Sequence, residues 1–134
     1  MAATSIPLAG DESLESRGDA ERAVSLGACK LAGVKLSKVG GPEEAIEIAE
    51  VLPSYLSSAL DGPIGIAAAA QVAQTLSEGT PAGLDLAHGL ATQRLFSSTV
   101  ASAECELRDG MLHSPPGPGL GVEIDERALD AHRL

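Results

Sequence analysis

The chain of 134 residues has no tryptophan, one tyrosine and one phenylalanine. Without aromatic platforms, recognition of single-stranded nucleic acid by base stacking is not expected. Any core has to be built from Ala, Val, Leu and Ile. Basic residues are also scarce: nine Lys and Arg against nineteen Asp and Glu give a formal net charge of −10. Duplex nucleic acid needs a basic footprint and an anionic lipid surface a basic patch, so neither is an expected partner. There are two cysteines, Cys29 and Cys105, and no CxxC, HExxH or clustered Cys/His spacing. A structural zinc site is therefore not expected, and two such distant thiols read as reduced, buried and inert. The longest apolar run, Ile64 to Ala70, is far too short to cross a bilayer. The opening MAATSIPLAGDES has neither a basic n-region nor an adequate apolar stretch for a secretory signal. A cytoplasmic location is the expectation.

What is present is 44% apolar residues, enough for one ordinary domain. Ser5 to Ala9 reads as a short buried strand ending in Gly10-Asp11-Glu12-Ser13. A helix over Asp19–Leu26 follows and stops at Gly27. Leu31 to Leu36 is a second strand, followed by Val39-Gly40-Gly41. Pro42-Glu43-Glu44 then opens a helix, since proline suits the first turn and carboxylates favour the positive end of the dipole. Ala45, Ile48, Ala49 and Leu52 recur at helical spacing and give that helix one apolar face. Pro53 to Leu56 is a third strand. The helix Ile64–Leu76 is apolar nearly all round, so it packs on more than one side. Leu84-Asp85-Leu86 is a fourth, very short strand, before a helix around Leu90–Phe96. From Ala101 the composition shifts. Met111 to Gly121, with its HSPPGPGLG, is expected to be irregular, and a short helix near Asp125-Glu126 closes the chain.

Polar residues follow each strand, centred on Asp11, Lys35, Ser58 and Asp85, at intervals of 24, 23 and 27 residues. A strand, a helix and two loops occupy about that length in a βαβ succession. The pattern predicts an α/β fold of about four successive β/α units, with a Pro/Gly-rich tail. In a parallel barrel the chemistry sits at the C-terminal ends of the strands, so all four polar lips would surround one mouth.

Each candidate side chain there admits two readings. Asp11, at a strand end, is a plausible ligand for a hard cation such as Mg²⁺, or else an N-cap for the next helix. Glu12 either orients neighbouring charges or is simply solvated. Lys35 sits in an apolar strand, where an unpaired ammonium is costly to bury. It could transfer a proton, stabilise an anionic intermediate by its charge, or snorkel from a strand edge. Lys38 stands three residues on. Ser57, Ser58, Ala59 and Leu60 precede the helix opened by Pro63, where backbone N–H groups could seat a carboxylate; the alternative is a Ser/Asp capping loop. His88, His113 and His132 share no spacing and read as surface or supporting residues. The GPGLG at 117–121 has no following GKS/T and reads as a structural turn.

These segments, in this order, resemble the muconate-lactonizing subgroup of the enolase superfamily. GDES at 10–13 resembles its third metal-ligand strand, and VKLSKVGG at 34–41 its sixth strand with the following Gly-Gly. SSALDGPIGIAAAA at 57–70 is similar to the seventh-strand loop and helix of o-succinylbenzoate synthases. GLDLAHGLATQRLF at 83–96 looks like their eighth unit, and PPGPGLGVEIDERAL at 115–129 like the shared tail.

The resemblance implies the C-terminal half of a (β/α)7β TIM-type barrel. Residues 1–100 would hold strands five to eight with their helices, and 101–134 the tail returning toward a capping domain. It implies that the capping domain, a base lysine in a KxK strand and two further acidic metal ligands lie outside this chain. The implied activity is a Mg²⁺-dependent dehydration that forms o-succinylbenzoate for menaquinone biosynthesis. In it Asp11 is a metal ligand, Lys35 a catalytic cation, Glu12 a supporting carboxylate, and residues 57–60 the seat of the succinyl carboxylate. The substrate would be a small carboxylate. Racemase, dipeptide epimerase and cycloisomerase activities of the same superfamily, or a non-catalytic fragment, are the alternatives. An incomplete barrel leaves open parallel edges, so self-association or pairing with a separate N-terminal half is expected.

Overall fold

The computed structural model describes residues 5–79 and 86–133. Its spine is a three-stranded parallel sheet of β1 (Ala9–Gly10), β2 (Leu31–Val34) and β3 (Ser54–Leu56), in that order. Ala9 pairs with Leu31 and Ala32 with Ser54, so each strand meets its partner 22 residues on. Parallel neighbours require a crossover. Here the crossovers are α1 (Arg17–Leu26) and then the one-turn α2 (Leu36–Val39) with α3 (Pro42–Val51), while α4 (Pro63–Gly79) follows β3.

Local chemistry sets these boundaries. The Ser16 hydroxyl accepts the Asp19 N–H at 3.2 Å and starts α1; Gly27, at φ 60°, ends it. Gly40 and Gly41 adopt φ of 97° and 135°, so the turn that frees Pro42 to open α3 needs glycine. Arg17 ties α1 to α3: its backbone N–H donates to Glu44 and its guanidinium to Glu50, at 2.8 and 2.6 Å.

Alternation along the strands separates two faces. Ala32, Val34 and Leu56 are wholly buried beneath the helices, together with Ala45, Ile48 and Ile66. Gly33, Lys35 and Tyr55 point to the other side. The apolar stripe expected on α3 is the buried one, with Ala49 packed at its margin.

Several elements differ from expectation. The first strand begins at Ala9, not Ser5. Pro7 has no N–H to give a ladder, and Ile6 and Leu8 are largely exposed. The second strand stops at Val34 because Lys35 already serves as the N-cap of α2. Of the expected strand Leu84–Leu86, residues 84 and 85 lie outside the described residues, and so does the polar lip at Asp85. The fourth sheet position is marked by a single parallel bridge from Ser57 to Gly89. Leu90–Phe96 forms a 3-10 turn over Thr92–Leu95, pinned by side-chain bonds from Thr92 to the Asp61 carbonyl and from Gln93 to that of Cys105.

The tail is more regular than its composition suggests. β4 (Ala101–Ala103) pairs antiparallel with β7 (Glu123–Ile124), and β5 (Glu106–Arg108) with β6 (Met111–His113). Asp109-Gly110, both at positive φ, make the two-residue hairpin turn that this dipeptide favours. The longest irregular stretch of the tail is 114–122, and α5 (Glu126–Ala131) starts where expected, capped by Asp125. Cys105, Leu112, Leu120 and Val122 pack on the same core as the β/α units.

Candidate active site

Asp11 follows β1 and Lys35 follows β2, so both stand at C-terminal ends of adjacent parallel strands. The Lys35 Nζ donates to Asp11 Oδ1 and, at 3.3 Å, to Glu12 Oε1. Lys35 is the enclosed member, 12% exposed at its side chain, against 49% and 76% for the two acids. Burial alone would lower the lysine pKa. The hydrogen bonds to Asp11 and Glu12 and their charges outweigh it, and the ammonium is held above its ordinary value of 10.5. The capping alternative for Asp11 is excluded, because Ser16 caps α1. Leu14, Glu15, Gly33, Lys38 and Val39 complete a small cleft around the three charged groups.

The loop at 57–60 borders the same end of the sheet, since the β2–β3 register continues from Val34 and Leu56 to Lys35 and Ser57. Its donors are largely committed within the protein. Ser57 N–H bonds the Val34 carbonyl and Ser58 N–H that of Gly89, at 2.8 and 3.0 Å. Ala59 N–H donates to the Asp61 carboxylate, and Asp61 N–H to the Ser58 hydroxyl. That hydroxyl in turn bonds the Asp61 carboxylate and Thr92 Oγ1. Leu60, at φ 64° and 62% exposed, is the residue of the loop that projects to solvent.

Asp61 and Thr92 were not singled out by the sequence, and His88 was read only as a surface or supporting residue. Asp61 carried a signal, an acid three residues after a serine ahead of a helix. Thr92 and His88 carried none, because they act across 34 and 32 residues. His88 Nδ1 accepts the Leu56 N–H at 2.9 Å and so extends the sheet with a side chain. His132, at the end of α5, contacts the Ala128 carbonyl one turn back on the same helix.

Among the described residues no three His, Cys, Asp or Glu side chains converge to hold a metal ion. Magnesium asks for a near-octahedral set of oxygens. Asp11 and Glu12, already bonded to an ammonium, do not supply one by themselves. Among the same residues no helix is long and apolar enough to cross a membrane.

A family model described as enolase C-terminal domain-like matches residues 1–128. The chain belongs to this family. It is 28% identical to the o-succinylbenzoate synthase of Geobacillus kaustophilus over 131 residues, 94% of this chain and 34% of that protein. With the o-succinylbenzoate synthase of Mycobacterium bovis it shares 37% over 109 residues, 80% of this chain and 32% of the relative. The solved muconate lactonizing enzyme from Pseudomonas fluorescens, complexed with muconolactone, superposes with a TM-score of 0.85 at 29% identity, covering 98% of this chain and 35% of that one. The enolase-like chain thus spans about a third of the length of the curated relatives it matches. Its parallel β/α units are the C-terminal part of an enolase-type barrel, and Asp11 and Lys35 follow the C-terminal ends of two of its strands.

Proposed function

We propose that this enolase-like chain supplies the C-terminal part of an o-succinylbenzoate synthase active site, acting on a small carboxylate by proton abstraction and loss of water. The observation that carries this reading is the meeting of Lys35 with Asp11 and Glu12 at neighbouring strand ends. Abstraction of a proton next to a carboxylate generates an enolate with two negative charges, which needs cationic stabilisation. A lysine whose pKa is raised stays an ammonium at neutral pH. Of its two chemical roles, Lys35 therefore suits the stabilising cation better than the base. Asp11 is the chain's candidate ligand for the Mg²⁺ that the resemblance implies, Glu12 orients the lysine, and the rigid 57–60 loop borders the substrate's carboxylate.

Among the described residues no set of donors completes a cation site, so little or no dehydration by the chain alone is expected. The test is to assay it alone and mixed with a polypeptide carrying the N-terminal two thirds of a relative. Turnover only in the mixture, lost in Lys35→Met, supports the reading. Turnover by the chain alone near that of a full-length enzyme overturns the deficit, and no turnover in the mixture overturns the assignment.

The close superposition on a muconate lactonizing enzyme favours one second reading, cycloisomerisation. A substrate panel on the same mixture separates the two. The uncovered inner face of the sheet leads us to expect self-association of the chain by itself. A monomer at all concentrations in sedimentation velocity contradicts that.

A further inference from the structure

The chain's one tyrosine stands on the inner face of the sheet, in the strand next to Lys35. Gly33 and Tyr55 are cross-strand partners. A methyl group built on Gly33 would lie 2.8 Å from Tyr55 Oη and 3.0 Å from its Cζ. The phenol therefore extends across Gly33 toward β1. On the far side, the register of Ala9 with Leu31 and Gly10 with Ala32 brings Asp11 to the level of Gly33 at its next step. Asp11, Gly33 and Tyr55 thus form one row across three strands, and Gly33 lines the same cleft as Asp11, Glu12 and Lys35. Any side chain at position 33 would stand between the phenol and the carboxylate. Tyr55 is half-buried, and its hydroxyl is not among the buried unpartnered polar atoms of the described residues, so it opens onto the face beside the cleft. A phenol so placed can hydrogen-bond a ligand that enters there.

We propose that Tyr55 is a ligand contact: its hydroxyl donates a hydrogen bond to an oxygen of the carboxylate ligand held at Lys35, and its ring forms the floor beneath that ligand. This rests on the function proposed above. The rival role is that of a filler in the barrel's interior layers, which are packed with side chains.

A chain with a single tyrosine gives one set of ring signals when only tyrosine carries ¹³C. o-Succinylbenzoate is titrated into the labelled chain, with and without magnesium, while calorimetry follows affinity for the wild type and for Tyr55→Phe, Asp11→Asn and Lys35→Met. The expected result is a saturable shift of the Tyr55 signals and an affinity about tenfold weaker in Tyr55→Phe, the loss typical of one hydrogen bond to a charged group. Binding that is weakened by Lys35→Met or Asp11→Asn, but leaves the Tyr55 signals still and Tyr55→Phe unaffected, overturns this proposal and spares the parent reading. No binding by the wild type in either condition, or binding indifferent to all three substitutions, overturns this proposal, while the parent reading stands or falls on turnover by the mixture. Should Tyr55→Phe not fold, the wild-type ring signals alone decide.

Discussion

The two faces of the parallel sheet obey different rules. On the outer face, Ala32, Val34 and Leu56 are wholly covered by α3 and α4. On the inner face, a glycine, a half-buried tyrosine and a lysine stand in the same strands, one residue out of phase. The first face is chosen by volume, the second by chemistry. A sheet covered on one side only is held by that side, so substitutions of equal size should have unequal costs on the two faces.

The largest effect is expected at Leu56. Leu56→Ala should lose about 2–5 kcal/mol in urea unfolding, through lost burial and the cavity left under α4. Tyr55→Leu, one residue away on the inner face, should cost less than half as much, and equal costs would break the contrast. Next comes the loop that joins the faces at their upper end. Asp61→Ala removes the acceptor shared by Ser58 and Ala59 and should cost about 1–2 kcal/mol, in the range of a lost cap. Thr92→Val should give a smaller loss on the same network.

Lys35→Met should cost less than about 1 kcal/mol, since its partners are half or more exposed. Its signature lies in the pH dependence. The folded-state pKa is raised, so the stabilisation is fully present below the unfolded value and fades as pH climbs through the raised one. The difference between wild type and Lys35→Met should persist at pH 7 and shrink above about 10.5. The smallest change in stability is expected from Leu31→Glu on the inner face, which should nonetheless reduce self-association in sedimentation velocity.

The outer face was readable in advance because it obeys periodicity. Ala45, Ile48 and Leu52 repeat at helical spacing, and the glycines and proline around 40–42 announce their own turn. The Asp11–Lys35 pair was also readable, since residues following consecutive parallel strands are neighbours. The mouth loop was read only by half. Serines ahead of a helix fit a ligand seat and a capping turn equally well, and Thr92, which helps to fix Ser58, lies 34 residues away. Pairing in the tail was missed for another reason. Proline and glycine density from 113 onward masked the Asp109-Gly110 turn, a two-residue signal flanked by strands of three residues. Tyr55 looked like an ordinary strand residue because its distinction comes from the empty space at Gly33, which belongs to another strand.

The equal 22-residue step between strand partners has a consequence for engineering. Two successive units share one length and one phase, so each can serve as an interchangeable cassette. Cuts just before Leu8, Lys30 and Leu52 fall outside the strands. A duplicated or transplanted unit inserted there should present its strand-end side chain on the same side as Lys35, which makes the segment a ready part for recombining barrels by thirds.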